Sequence, residues 1–492
     1  MSGADFIKTN NLFSSITNFI KNNKNIIKEV LIIINILLFA ILNIYLILLN
    51  IIPIKIYILL IYILLSIKLL SIFLICVKNK LLNIIGSIII FLSIILYIIG
   101  IVFCNQTKSF IDSSFKESIK EVSTYGIYAL NNESTLSSNK IGYLKNDVIN
   151  INDCLKESNI SINYQLIAFD DIFTLYDALE TKKVSAIIID NIYIDILRDE
   201  NIDITKISNN VYSKKIEKTI KTNNSNENSN FIIYLSGSDD RNGNISDKSR
   251  SDVNIVIAIN NINKEILLVS IPRDYYVNVY GTTGLKDKLS HSGIYGTDIS
   301  TKTIENLLNI NIDYNIKVGF KSLEKIVDLL GGIDIYSEIS FKSKDNPKLI
   351  IKKGNNHLNG ELALAYSRER HVFAAGDRQR IKNQQKVLKS IIDKATSTKS
   401  IISNYNKLLN EFNNLYKTNM PKEIIINMLK EELDNNKKWN IESYYLNGYD
   451  AREYTKTSPR NKRYVMTIDE NSIKECTNLL NKYKKESTEE SA

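Results

Sequence analysis

Histidine and cysteine are scarce, with three and four copies among 492 residues. His291, His357 and His371 are scattered, which leaves zinc ligation and a Ser-His-Asp triad poorly supported. His357 precedes an expected helix and reads as structural. Four cysteines are too few for a disulfide framework. Cys76 and Cys104 lie in apolar segments. Cys154 and Cys476 lie in polar sequence, where an oxidising exterior would permit a bridge that spacing alone does not place. A glycine-rich Walker loop is missing, so nucleotide hydrolysis is not the natural reading. Arginine is absent from the first 108 residues, whose nine lysines face only Asp5 and Glu29. That segment accounts for +7 of the net +9 and leaves +2 for the other 384 residues. The positive charge therefore flanks apolar sequence, and it gives no support for nucleic-acid binding.

What is abundant is isoleucine and leucine between Val30 and Cys104. Residues 30–52, 56–77 and 81–104 each suffice to cross a hydrocarbon core of about 30 Å at about 1.5 Å per residue. They show no polar face, as buried core helices would. Lys8, Lys21, Lys24 and Lys28 precede the first span, and Lys78 and Lys80 separate the second from the third. Only Lys55 lies in the first connection, and Lys108 follows the third. The positive-inside rule then predicts a multi-pass cell-membrane protein with a cytoplasmic N-terminus and an extracytoplasmic catalytic part. Lys68, inside the second span, must snorkel or face a neighbouring helix.

The expected domains are an anchor (1–108), a small α/β accessory domain (110–221), a linker (222–230), a catalytic domain (231–396) and a helical extension (397–492). The linker has no apolar residue before Asn230. In the catalytic part, strands are predicted at 231–235, 253–259, 265–271, 314–318 and 333–339. Asn260–Asn263 turns the second into the third as a hairpin. Helices are predicted at 300–308 (capped by Ser300), 321–330 (closed by Gly331 and Gly332), 359–366 and 378–396. The fold class is α/β: a mixed β-sheet flanked by helices, with N-terminal transmembrane helices.

Charged residues collect beside these strand ends and helix starts: Gly237–Arg241, Arg250–Asp252, Ser270–Asp274, Asp287–Leu289, and Ser367–Arg370 continuing to Asp377 and Arg380. A single such residue is ordinarily a solvated loop group. Several arginines converging on one place require an anion, and guanidinium forks match phosphate oxygens bidentately. Asp239 and Asp252 offer hard oxygen ligands for Mg²⁺, which takes one or two carboxylates besides phosphate and water. The set suits phosphoryl transfer.

At these residues the segments RSDVNIVIAIN, SIPRDYYVNV, DYNIKVGFKSLEKIVDLLGGIDI and HLNGELALAYSRERH, in this order, resemble the catalytic domain of the LytR–CpsA–Psr family. The resemblance implies a hydrophobic groove for a polyprenyl tail. It also implies transfer of a glycopolymer phosphate from polyprenyl pyrophosphate to a peptidoglycan sugar hydroxyl, with Mg²⁺. Asp239 and Asp252 would then hold the metal, and Arg250, Arg273, Lys288, Arg368, Arg370 and Arg380 the pyrophosphate. Asp377 and Gln384, in the pattern Asp-x-x-Arg-x-x-x-Gln, would order the arginines or contact phosphate. The sequence departs from the family in Asn383, where many members carry a basic residue, and in Lys288-Leu-Ser-His-Ser. The implied partners are the lipid-linked glycopolymer, peptidoglycan and membrane lipid. A membrane-tethered transcription attenuator would need a cytoplasmic basic surface, against which the lysine pattern and the +2 balance argue.

Overall fold

A computed structural model describes residues 24–114, 118–131, 139–145, 151, 154–155, 164–221, 230–239, 245–344, 346–396, 411, 415–434 and 438–484. Most of the expected linker, 222–229, and Asp240 and Arg241 lie outside these. The chain divides into two compact units.

The first unit holds helices α1 (Lys24–Leu49), α2 (Ile54–Cys76) and α3 (Lys80–Ser114). Each is long and apolar enough to cross a membrane. Polar side chains join them: Asn35 Nδ2 of α1 donates to Ser93 Oγ of α3 at 2.6 Å, buried. Lys68 lies 4.5 Å from the Phe39 ring centre, so this intramembrane lysine faces the neighbouring helix.

In the second unit, β1 (Ser118–Leu130), β2 (Lys140–Leu144), β3 (Gln165–Phe169), α4 (Ile172–Glu180), β4 (Ala186–Asp190), α5 (Ile192–Asp199) and β5 (Ser208–Lys221) form a small α/β lobe. Its mixed sheet runs β3-β2-β4-β1-β5. The apolar run Ala186–Ile189 is buried on both faces, as a central strand requires. Asp171 caps α4 through its carboxylate, which accepts from Phe173 N and Thr174 N.

The larger sheet begins with β6 (Asn230–Ser238), β7 (Val253–Asn260) and β8 (Glu265–Ser270), antiparallel neighbours in succession. The β7–β8 turn forms at the predicted asparagines, with Asn263 N donating to Asn260 Oδ1. Short strands β9 (Tyr276–Val277) and β10 (Asp287–Lys288) pair with each other, and α6 (Leu289–Ser292) leads to α7 (Thr297–Leu308). Helix α7 starts before Ser300, after Gly296 at φ +111°. Ser300 is thus not its cap; its hydroxyl is buried in the helix and donates back to Gly296 O. Next come β11 (Tyr314–Gly319), α8 (Phe320–Leu329) and β12 (Ile333–Ser337), with Gly331 and Gly332 at positive φ between helix and strand. Hairpin strands β13 (Phe341–Lys342) and β14 (Ile350–Ile351) precede β15 (Gly354–Leu358), which pairs with β12. Helices α9 (Gly360–Arg368) and α10 (Asp377–Ala395) follow.

The stretch after residue 396 is not a helical extension. It carries β16 (Tyr416–Thr418), α11 (Lys422–Asp434), β17 (Asn440–Tyr445), a β18–β19 hairpin (Gly448–Thr455, Ser458–Ile468) and α12 (Glu470–Lys484). Helix α11 groups with the first unit. β16 and β17 become the two edges of the large sheet, ordered β16-β11-β6-β7-β8-β17. Cys476, Leu480 and Tyr483 of α12 are buried with Tyr234, Val256, Leu267 and Val269 in the central core. Cys154 is buried in the lobe's own cluster and is not bridged to Cys476.

Candidate functional site: an arginine cavity beside an apolar groove

The ends of β6 and β7 meet where Asp252 N donates to Gly237 O at 2.8 Å. A Cβ on Gly237 would come within 2.8 Å of Val253, so only glycine lets these strands approach there. Beneath Asp252, Ser251 is fully buried and bonded to Tyr234, Ser236 and Asn254. That polar network fixes the loop and presents Asp252 on the opposite side. Arg273 leaves the end of β8, and its Nη1 reaches Asp252 Oδ1 at 2.8 Å.

Arg368 closes α9, with its guanidinium stacked 5.0 Å from the Phe320 ring. The following loop is pinned by Glu369, almost fully buried, whose carboxylate accepts from the backbone N–H of Lys344, Arg370 and His371. Asp377, Arg380 and Gln384 sit at i, i+3 and i+7 of α10 and share a face. Asp377 Oδ1 lies 2.6 Å from Arg380 Nη2 and 3.8 Å from Arg370 Nη1.

Seven of the ten expected site residues line one cavity of about 190 Å³: Asp239, Asp252, Arg273, Arg368, Arg370, Arg380 and Gln384. Asp377 braces two of its arginines. Lys288 lies one carboxylate behind, with Nζ at 2.8 Å from Asp274 Oδ1, and Asp274 lies 3.6 Å from Arg273 Nε. Arg250 is placed elsewhere, paired with Asp199 of the lobe. Asn383 is fully buried and donates to Tyr366 O, so the departure from the family pattern leaves no gap in the cavity wall. Phe320, Lys344, Glu369 and His371 also line the cavity; Glu369 falls in the charged segment picked out from sequence, but none of the four was assigned to the site there. Phe320 stands where β11 ends at Gly319 and α8 begins, one residue before the helix start predicted from sequence.

The electrostatics are unbalanced. Burial lowers the Arg273 pKa, but Asp252, Asp274 and Asp377 outweigh it and hold the value above the ordinary one. Burial and neighbouring Arg273 hold Arg380 below its ordinary value despite Asp377 and Asp252. The Nε groups of both arginines are buried without a hydrogen-bond acceptor. Buried donors of this kind call for an anion with several oxygens. Asp239 and Asp252 both line the cavity and carry hard carboxylate oxygens of the kind that suit a divalent cation such as Mg²⁺. Among the described residues no group of three or more His, Cys, Asp or Glu side chains gathers as a metal centre.

Next to the cavity, a second pocket of about 80 Å³ is walled by aliphatic side chains including Leu235, Val253, Leu323 and Leu388. It shares Phe320, Arg368 and Gln384 with the arginine cavity.

The model of the LytR_cpsA_psr family matches residues 199–482. A Bacillus anthracis polyisoprenyl-teichoic acid–peptidoglycan teichoic acid transferase, TagU, is 36% identical over 203 residues, covering 41% of this chain and 64% of its own length. TagU of Bacillus subtilis (strain 168) is 32% identical over 276 residues, covering 54% of this chain and 81% of its own. The crystal structure of B. subtilis TagV aligns at 30% identity with a TM-score of 0.44, covering 52% of this chain and 98% of that one. The chain thus spans a little under two thirds of the first-matched curated relative.

Proposed function

The chain belongs to the LytR_cpsA_psr family, and from that premise we propose that it transfers a glycopolymer phosphate from polyprenyl pyrophosphate to a sugar hydroxyl of peptidoglycan. One observation carries the reading: a cavity with four arginines and three carboxylates adjoins an apolar groove and shares Arg368 with it. An amphiphile with a pyrophosphate head and an apolar tail fits that pair of sites. The transferase named in TagU agrees with it.

In the reaction, the acceptor oxygen bonds to the phosphorus that carries the glycopolymer, and the bond to the bridging oxygen breaks. Polyprenyl phosphate leaves and the hydroxyl proton is lost. Arg273, Arg368, Arg370 and Arg380 neutralise charge on the pyrophosphate, including that which grows on the leaving phosphate. Asp377 orients Arg370 and Arg380, and Gln384 supplies a further polar contact. Asp239 and Asp252 would hold Mg²⁺, which supplies charge neutralisation on the phosphate oxygens. The lysine asymmetry around the three spans supports an extracytoplasmic catalytic unit.

The test is turnover of a polyprenyl-linked donor by the full chain with peptidoglycan fragments, across a Mg²⁺ titration. Transfer that rises with Mg²⁺ in the parent, and weaker Mg²⁺ binding in Asp239→Ala and Asp252→Ala, is expected. Parent-like Mg²⁺ binding in both variants removes the metal assignment. No transfer by the parent removes the activity. A reporter active only outside, fused after Lys108, is expected to give signal, and one fused near Lys80 to give none.

A further inference from the structure

A cleft of about 930 Å³ opens between the accessory lobe and the loop carrying Asp252. It shares Asp239 and Asp252 with the arginine cavity, yet has no lining residue in common with the apolar groove. Its walls are fastened to each other. Lys248 Nζ lies 3.0 Å from the buried carboxylate of Asp190, and Arg250 pairs with Asp199. Beyond the cleft, Arg463 and Arg460 of β19 hold Glu200 and Asp177 of the lobe, each at 2.5 Å. The ion pair that removes Arg250 from the arginine cavity is therefore part of a clamp that forms this second space.

We propose that the cleft is the binding site for the acceptor glycan, and that the accessory lobe supplies its outer wall. This rests on the phosphotransfer reading above. In-line displacement puts the incoming hydroxyl opposite the leaving group. The leaving group is lipid-bound and belongs with the apolar groove, so the hydroxyl enters from the side of the two carboxylates, where the cleft opens. The lining suits a neutral saccharide. Thr124, Asn191, Ser246 and Ser249 offer hydroxyl and amide groups that both donate and accept, and Ile192 and Ile294 offer apolar surface for the C–H faces of sugar rings. Charge separates acceptor from donor polymer. Five carboxylates and three cations line the cleft, a balance that repels a phosphate-bearing chain and tolerates an uncharged glycan.

Asp195 and Arg198 provide the test. Both are exposed on α5, line the cleft and pair with each other at 3.2 Å. Asp195→Trp and Arg198→Trp fill the cleft from the lobe side without touching the arginine cavity, and thermal melting confirms that each stays folded. Binding of uncross-linked peptidoglycan glycan fragments and of the polyprenyl-linked donor is measured separately on the full-length chain. Glycan affinity is expected to fall about tenfold or more in both variants, with donor affinity at the parent's value. Unchanged glycan affinity, or a parent that binds no glycan, overturns the assignment. Loss of donor affinity with glycan binding intact assigns the cleft to the donor's own polymer and also overturns it. If glycan binding depends on the cleft but the parent transfers nothing, the cleft stands and the phosphotransfer reading falls.

Discussion

Two ionic clusters meet at Asp274, and they treat charge differently. On one side, Lys288 is held by Asp274, and fully buried Asp287 accepts from Lys288 N and Thr457 N and lies 2.7 Å from His291 Nδ1. Each charge there has a near partner. On the other side, four arginines share the cavity with Asp239, Asp252 and Glu369, Asp377 braces Arg370 and Arg380 from behind, and two buried Nε groups have no acceptor. A balanced cluster braces the loop between β9 and α6. An unbalanced one holds charge in readiness for a ligand. The same side-chain types, within one domain, thus serve stability in one place and binding in the other.

The largest effect that would break this contrast is on the balanced side. Asp287→Ala leaves His291, Thr457 and the neighbouring N–H groups without their shared acceptor. It is expected to cost about 3–5 kcal/mol of stability, the scale for breaking a buried pair. Thermal denaturation measures it, and turnover per folded molecule should persist.

On the unbalanced side the pattern reverses. Arg368→Ala and Arg370→Ala should each lower turnover by roughly 10²–10³, or about 2.7–4 kcal/mol in barrier. Their melting temperatures should equal or exceed the parent's, since fewer like charges then share an empty site. Arg370→Lys keeps the charge, loses the fork, and should also be impaired. Parent-like turnover in all three would end the proposed mechanism.

Inorganic pyrophosphate sharpens the comparison with a somewhat smaller effect. At a hundredfold excess over its Kd it should stabilise the parent by about 2.7 kcal/mol, and Arg380→Ala should lose most of that gain while Asp287→Ala keeps it. A thermal shift with and without pyrophosphate gives the answer.

The smallest effect is one of pH. Burial raises the Asp274 pKa, but Lys288 and Arg273 outweigh it and hold the value below the ordinary carboxylate range. Its contribution to stability is fully present above about pH 4 and fades as pH falls through the lowered value. Melting temperature measured downward from pH 5 should decline less steeply in Asp274→Asn than in the parent.

The arginine set was legible in sequence because its members stand where regular elements stop. An arginine after five apolar strand residues, or at the end of a helix, cannot be buried by local structure. Arg250 shows the limit. It carries the same local signature, but its partner Asp199 is 51 positions earlier in a different lobe, and no local pattern encodes that. Asn383 shows it again: it lies i+3 from Arg380, and only the packing of α9, whose Tyr366 O accepts from it, takes it out of the site. Gly296 displaced the start of α7 from Ser300 by providing a backbone conformation that a capping rule keyed to hydroxyls overlooks. The segment after 396 was misread because edge strands of three and six residues carry little pattern of their own. β17 becomes a strand only by lying alongside β8.

That pairing governs how the protein must assemble. Asn440 sits opposite Glu265 and Tyr445 opposite Ser270, so the outermost ladder joins positions 175 apart in the chain. Contacts this distant in sequence form late, since a long loop must close before any ladder bond repays it. Until then the edge of β8, with Ile266, Leu267, Leu268 and Val269, has unpaired backbone groups along an apolar strand, a template for pairing with another chain. A chain interrupted before Trp439 would retain every arginine of the cavity and still be prone to aggregate through that edge.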